Sequence, residues 1–398
     1  MWNVTKEAQE RFLKCNLLPI QESAHDWEIV LREAAEEGED LTARLKEELD
    51  EVREELMEVV PSRFHPYVED GTLNQPTLPK SVREDYLQWM RTADREFEKV
   101  LDEASKQTEK AVHHLPQAVQ EVFAESLHDS QIQRIERVGD NIHLYLNTDG
   151  GFSTKALIHF QFKNIVAEES EMPIEVGQWL VYDELQQRDE GFAFRVLFDG
   201  PSSEWTIFMK ELDAEYFYRP SLYVKWSNEG MLEESSLLDF LSQVDSEYRY
   251  WLITPDVTCR IHIDADKIVL ENGQLELIEN QMLVKLGEDC FTYDLTEYNP
   301  MEFIYTDVYE DPYEHFHKSV PTAELEEAAL CEDLELQVRA WNTMYAKPEE
   351  LADIINTVLM KMTITEENEM MLSVYCQHFY TVGILTEVVI EKYRSLLD

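Results

Sequence analysis

Apolar positions recur every three or four residues through the first third of the chain. Trp27, Val30 and Leu31 lead to Leu41, Leu45, Leu49, Val52, Leu56 and Val59. This single apolar stripe on a Glu-rich stretch predicts amphipathic helices that pack on a shared core. Thr5 caps a short first helix, and Ser23 or Asp26 opens the long one. Gly38 and Asp40 divide that stretch in two, and Pro61 ends it. Ser81, with Glu84 three positions on, has the form of a capping box for a further helix that runs to about His114. Pro116 kinks or restarts the chain, and a last helix of this region is expected to run to about Ser126.

Near Leu127 the period falls from 3.6 to 2. Ile132, Ile135 and Val138 answer Ile142, Leu144 and Leu146 across Gly139-Asp140-Asn141, which is hairpin chemistry. Further strands are expected at 156–162, 178–182, 192–198 and 205–209, each bounded by Gly, Asp or Pro. Short strands with turns between them imply an antiparallel sheet, a small barrel or a sandwich. A helix at 235–244 and strands at 257–263, 267–270, 275–278, 282–286 and 291–293 come next, with Asn272-Gly273 placed as a type I′ hairpin turn. The helical period then returns: one helix from Pro321-Thr322 to Trp341, another with Pro348 in its first turn, a third capped by Thr365, and a last one beyond Gly383. The expected fold is α+β. It comprises a helical region (1–127), a central antiparallel β module (128–230), and a C-terminal region (231–398) of sheet plus helical cap.

Charge changes the picture more than any motif does. The 398 residues carry 34 Lys and Arg against 82 Asp and Glu, a formal −48. Residues 1–127 hold 29 acidic and 15 basic side chains, 128–230 hold 18 and 9, and 231–398 hold 35 and 10. Mixed charge along the first helices suits i,i+4 pairing; the surplus in the last third has too few bases to pair with. Such a chain repels nucleic acid and anionic membranes and attracts basic proteins and cations. At 44% hydrophobic and 11% aromatic it is too rich in core residues for a disordered acidic tail. No apolar run approaches a membrane span, and the first twenty residues read as a helix, not a signal peptide. Five scattered cysteines, without a CxxC pair, read as reduced thiols in a cytoplasmic protein.

The stretch Leu127-His128-Asp129, Ile132, Ile135, Gly139-Asp140, Leu144-Tyr145-Leu146 and Asp149-Gly150-Gly151-Phe152, then Trp179-Leu180-Val181-Tyr182-Asp183-Glu184, resembles an uncharacterised family of acidic cytoplasmic proteins of Gram-positive bacteria, a domain of unknown function. The resemblance covers roughly residues 1–220 and implies the domain plan and the compartment, but no activity and no site. The His128-Asp129 opening with its hairpin is similar, more loosely, to small β modules of bacterial immunity proteins.

Four constellations are candidates for chemistry. His262, Asp264 and Asp266 alternate along a strand and share a face with Arg260. They are metal ligands for a divalent-metal-dependent hydrolase, or else simply a solvated strand face. Asp183-Glu184 are adjacent in a strand and point to opposite faces, so they cannot act as a paired acid and base. They are expected to cap a turn, with a buried Asp183 taking backbone N–H groups as the alternative. His113-His114 ends a helix, where a cation favours the dipole. In the segment 305–317, Tyr305, Tyr309 and Tyr313 interleave with Asp307, Glu310, Asp311 and Glu314, and Pro312 prevents a continuous helix. An exposed loop of this kind suits a basic protein, since carboxylates take Arg and tyrosine adds contact area. The same composition also suits an Ω-loop with its tyrosines turned inward.

No Gly-rich phosphate loop and no Ser-His or Cys-His pairing is legible, and no cofactor is implied. The leading expectation is a non-enzymatic acidic binding protein, an immunity, antitoxin or inhibitor-type factor that neutralises a basic protein such as a nuclease. The hydrolase and an accessory or assembly subunit are the alternatives.

Overall fold

The computed structural model describes residues 1–264, 267–365 and 368–397. Packing divides the chain into two compact units, Met1–Arg219 with Asp245–Val308, and Pro220–Val244 with Tyr309–Asp398.

The first unit begins with helices. Thr5 caps α1 (Lys6–Cys15), its side chain accepting from the Ala8 N–H at 3.2 Å. A capping box of Ser23 and Asp26 opens α2 (Ala24–Glu37), and left-handed Gly38 ends it. The next helix, α3 (Leu41–Val59), buries Leu41, Leu45, Leu49 and Leu56, the stripe expected from the sequence. The short α4 (His65–Glu69) leads to α5 (Lys80–Val112), 33 residues and about 50 Å long. The Ser81–Glu84 capping box does not form. Pro79 occupies the N-cap without a side-chain bond, and Glu84 turns to Lys80 at 3.7 Å. Pro116 opens α6 (Gln117–Val122).

The β module is a closed barrel of β1 (Gln131–Val138), β2 (Asn141–Asn147), β3 (Leu157–Ser170), β4 (Trp179–Arg188), β5 (Gly191–Asp199) and β6 (Ser203–Phe217), in the order β1-β2-β3-β6-β5-β4. Of the two architectures open to the sequence, the barrel is the one that forms. Gly139 and Asp140 make the turn between β1 and β2, and Asn141, expected within the turn, already pairs with Val138 as the first residue of β2. At the β4–β5 turn Gly191 has φ 131°, and a Cβ there would stand 2.2 Å from the Met209 carbonyl oxygen; only glycine fits. Leu144, Phe160, Phe162, Phe194, Val196 and Trp205 are fully buried within the barrel, and Val119 and Val122 of α6 join the same core.

The barrel's seam is short. β1 meets β4 at Gln131 and Trp179, flanked by backbone bonds between Ser130 and Leu180 and between Ile132 and Gln178. From Asp183 onward no strand among the described residues lies beside the outer edge of β4, and α5 lies there instead. The Thr108 hydroxyl of α5 accepts the Leu185 N–H at 3.0 Å, supplying a bond that a neighbouring strand would otherwise make.

Two smaller sheets complete this unit. One runs β13-β7-β8-β9, from β7 (Tyr250–Ile253), β8 (Thr258–Asp264), β9 (Lys267–Leu270) and β13 (Ile304–Thr306); the other runs β10-β11-β12, from β10 (Gly273–Ile278), β11 (Gln281–Leu286) and β12 (Asp289–Asp294). Asn272-Gly273 is therefore not a hairpin turn: β9 and β10 belong to different sheets. Gly273 lies opposite Leu286, where a Cβ would come within 2.3 Å of the Lys285 carbonyl oxygen. The glycine permits close strand approach.

The second unit is helical: α7 (Ser221–Asn228), α8 (Leu237–Leu241), α9 (Leu325–Ala329), α10 (Leu334–Ala346), α11 (Ala352–Lys361), α12 (Glu369–Val382) and α13 (Glu387–Lys392). Trp341, Met344, Ile355, Leu359, Phe379 and Tyr393 fill its core. The helix expected from Pro321 to Trp341 is broken in two, because Asp333 accepts the Leu336 N–H and caps a fresh start. The third helix of this region begins at Glu369, not at Thr365, whose N–H instead donates to the Asn368 side chain at 2.8 Å.

Candidate functional site

The segment 305–317 crosses from one compact unit to the other between Val308 and Tyr309, and its residues separate accordingly. Tyr305 lies in β13 with 2% of its surface exposed, under the Arg219 guanidinium at 4.2 Å. It is a core residue, not part of an exposed loop. Asp307 is ion-paired with Arg249. Tyr309, Glu310, Asp311, Tyr313 and Glu314 fall in the second unit. There Tyr309 and Tyr313 each expose 47% of their surface, and Glu310 and Glu314 are exposed beside them.

That half of the segment is held from several sides. The Asp311 carboxylate accepts the Tyr313 N–H at 2.8 Å, and the Asn228 amide of α7 donates to the Tyr313 hydroxyl at 2.8 Å. Ser221 donates to Glu310 at 2.5 Å. A turn of 3-10 helix, Glu314–His317, follows, and Asn342 of α10 donates to the Phe316 carbonyl at 3.3 Å. A groove of about 510 Å³ lies between Tyr313, Phe316, Lys225, Glu229 and Glu335. Neither the fully exposed nor the fully inward arrangement holds: the backbone is pinned while two tyrosines stand out.

On β8 the alternation is as expected. His262 and Asp264 are exposed with Arg260, and Cys259, Ile261 and Ile263 are buried; Arg260 meets Glu271 at 3.3 Å. Asp266 lies outside the described residues. Among the described residues no three His, Cys, Asp or Glu side chains come together in a way that could hold a metal ion.

The Asp183-Glu184 pair takes an arrangement that the sequence did not predict. Asp183 and Glu184 sit in the middle of β4, not at a turn, and face opposite ways. Glu184 is fully buried and accepts the N–H groups of Asn3 at 2.8 Å and Val4 at 2.9 Å, the Asn3 amide at 2.9 Å and the Gln186 amide. It fastens the N-terminus to the outside of the barrel, where Trp2 lies under Arg195 at 4.8 Å. The backbone N–H groups expected for Asp183 go to its neighbour.

Asp183 lines a cleft of about 590 Å³ bounded by α5, α6 and the turn that follows. Burial, with the adjacent Glu184 charge adding to it, pushes its carboxyl up to about 7. Glu125 lines the same cleft. Burial would raise it too, but bonds from Ser153, Lys155 and Thr154 prevail and hold it at about 2. The Lys155 ammonium, 4% exposed, lies 2.9 Å from that carboxylate. One legible signal pointed to this site. Asp183 shares its parity with Leu185, so it occupies an apolar register of the strand. Nothing in the spacing linked Glu125 to Lys155.

These features define an α+β protein built on a closed six-stranded barrel with a helix along the part of β4 that extends past the seam. The chain belongs to the DUF4085 family of proteins of unknown function, whose model matches residues 3–209. That span takes in the Asp183 cleft and the Glu184 clamp but not the 309–314 segment. No curated protein and no solved structure matches the chain. Among the described residues no helix is long and apolar enough to cross a membrane.

Proposed function

We propose that the protein is a non-enzymatic acidic binding factor that docks a basic protein, in the manner of an immunity protein, antitoxin or inhibitor set against a nuclease. The observation that carries the reading is the pinned segment of the second unit, with Tyr309 and Tyr313 half exposed among Glu310, Asp311 and Glu314. Carboxylates at these positions take Lys or Arg that the partner uses for phosphate, and the two rings add apolar area at small entropic cost. The held backbone lowers the ordering cost of binding. A formal charge of −48 steers a cationic partner in. A cytoplasmic setting is part of the proposal, supported by five cysteines without a disulfide.

The test is capture from the native lysate at low and at high salt. A basic protein retained at low salt, released at high salt and lost with Tyr309→Ala/Tyr313→Ala is the expected result. Retention of only neutral or acidic proteins, or of the same partner by the double variant, overturns the reading.

A further inference from the structure

The cleft beside β4 has the chemistry of a receptor for a small cation. Asp183 projects into it, and no hydrogen-bond donor reaches its carboxylate among the described residues. The contrast with Glu184, one residue on and met by four donors, shows that this region supplies donors to a carboxylate where the fold uses it. The backbone contributes as well. Asp183 and Leu185 lie opposite Val196 and Phe194, and the Leu185 N–H points out toward α5. By the two-residue alternation of an antiparallel ladder, the Asp183 N–H and carbonyl point the same way.

The remaining walls narrow the ligand class. Leu101, Ala104, Val112 and Phe123 give an apolar surface; Glu109 and Glu125 add carboxylates. No Lys or Arg lines the cleft, and His113 is the only base on it among the described residues. Lys155 is directed to Glu125. Among the described residues an anion would find His113 alone as counter-charge against three carboxylates, and no metal-holding cluster forms among them. We infer that this cleft binds a small organic cation, a protonated amine on an apolar body. Asp183 acts as its counter-ion, and Phe123 with the α5 side chains covers the body. The site is independent of the protein-docking reading, since it lies in the other compact unit.

The probe is phenethylammonium, with phenethyl alcohol as its neutral counterpart, titrated calorimetrically into the full chain. The titratable groups around Asp183 are Glu109 of α5, His113 at that helix's C-cap and Glu125 beyond α6, with Glu184 next to it on the opposite face of β4. Phenethylammonium is expected to bind about tenfold or more tightly at about pH 8 than at about pH 5.5, because Asp183 must be ionised. Phenethyl alcohol is expected to bind at least about tenfold more weakly at the higher pH, the worth of one charge-assisted contact. Asp183→Asn is expected to abolish the cation's advantage and the pH dependence together, and His113→Gln to preserve both. Absence of binding to the unaltered chain at the higher pH overturns the inference. So does equal affinity for the alcohol, or an Asp183→Asn variant that binds the cation unchanged. A pH dependence that vanishes in His113→Gln but persists in Asp183→Asn overturns it as well, by moving the charge to the imidazole.

Discussion

The two faces of β4 carry neighbouring carboxylates with opposite fates. On the outer face Glu184 is sealed from water and bound by two backbone N–H groups and two amides. On the cleft side Asp183 keeps part of its surface exposed, yet its carboxyl group is pushed up to about 7 and no protein donor is within reach among the described residues. Burial alone therefore does not decide whether an acid supports the fold. The donors do: a buried anion that is fully bonded acts as a structural tie, and one left unbonded costs stability whenever it ionises. Glu125 falls with Glu184, since its bonds overcome burial and hold it at about 2.

The largest expected effect tests the tie. Glu184→Ala strands the Asn3 and Val4 N–H groups and should cost about 3–5 kcal/mol in urea unfolding. Amide exchange at Asn3 and Val4 should rise with it; unchanged exchange would mean that the N-terminus is held by other contacts. Next comes Glu125→Gln, expected to cost about 3 kcal/mol near neutrality by leaving the Lys155 ammonium buried without its partner. Because Glu125 is depressed in the fold, its contribution is present above about pH 4.5 and is lost as pH falls toward about 2. Wild type and variant should converge in that acid range.

Asp183→Asn should act in the opposite direction. Its carboxyl is raised in the fold, so the ionisation penalty is absent below about pH 4, grows as pH climbs through about 7, and is constant above. The variant should be more stable by roughly 1–3 kcal/mol at about pH 8 and no different near pH 4. A loss of stability at the alkaline end would break the contrast between the two faces. The smallest effect is expected at Tyr313→Ala. This half-exposed position should shift stability by less than about 1 kcal/mol while weakening partner capture, which separates a surface used for docking from one used for folding.

Much of the scaffold was legible because the signals were local. Thr5, Ser23 with Asp26, and Gly38 mark helix ends through bonds made within three or four residues, and the Leu41–Leu56 stripe names its own buried face. The Gly139-Asp140 turn fixed the first hairpin. Where the reading failed, a remote partner decided the outcome. Asn272-Gly273 has ideal turn chemistry, but Gly273 answers to Lys285 across another sheet. Ser81 and Glu84 have capping spacing, but Pro79 sets the helix start. For the sites, the alternation around His262 was correct. The 305–317 segment, however, could not reveal that Tyr305 belongs to β13 and Asp307 to Arg249. The Asp183 cleft depends on helices some 60 to 80 residues upstream, which no spacing rule connects to β4.

Thr108 has a wider meaning than one hydrogen bond. By taking the Leu185 N–H it makes α5 the seventh stave of the barrel, and the cleft that holds Asp183 is the gap between that stave and the wood. Whatever settles in the gap grips helix and strand at once, so occupancy should slow exchange of the Leu185 amide, a readout of the joint between helix and barrel.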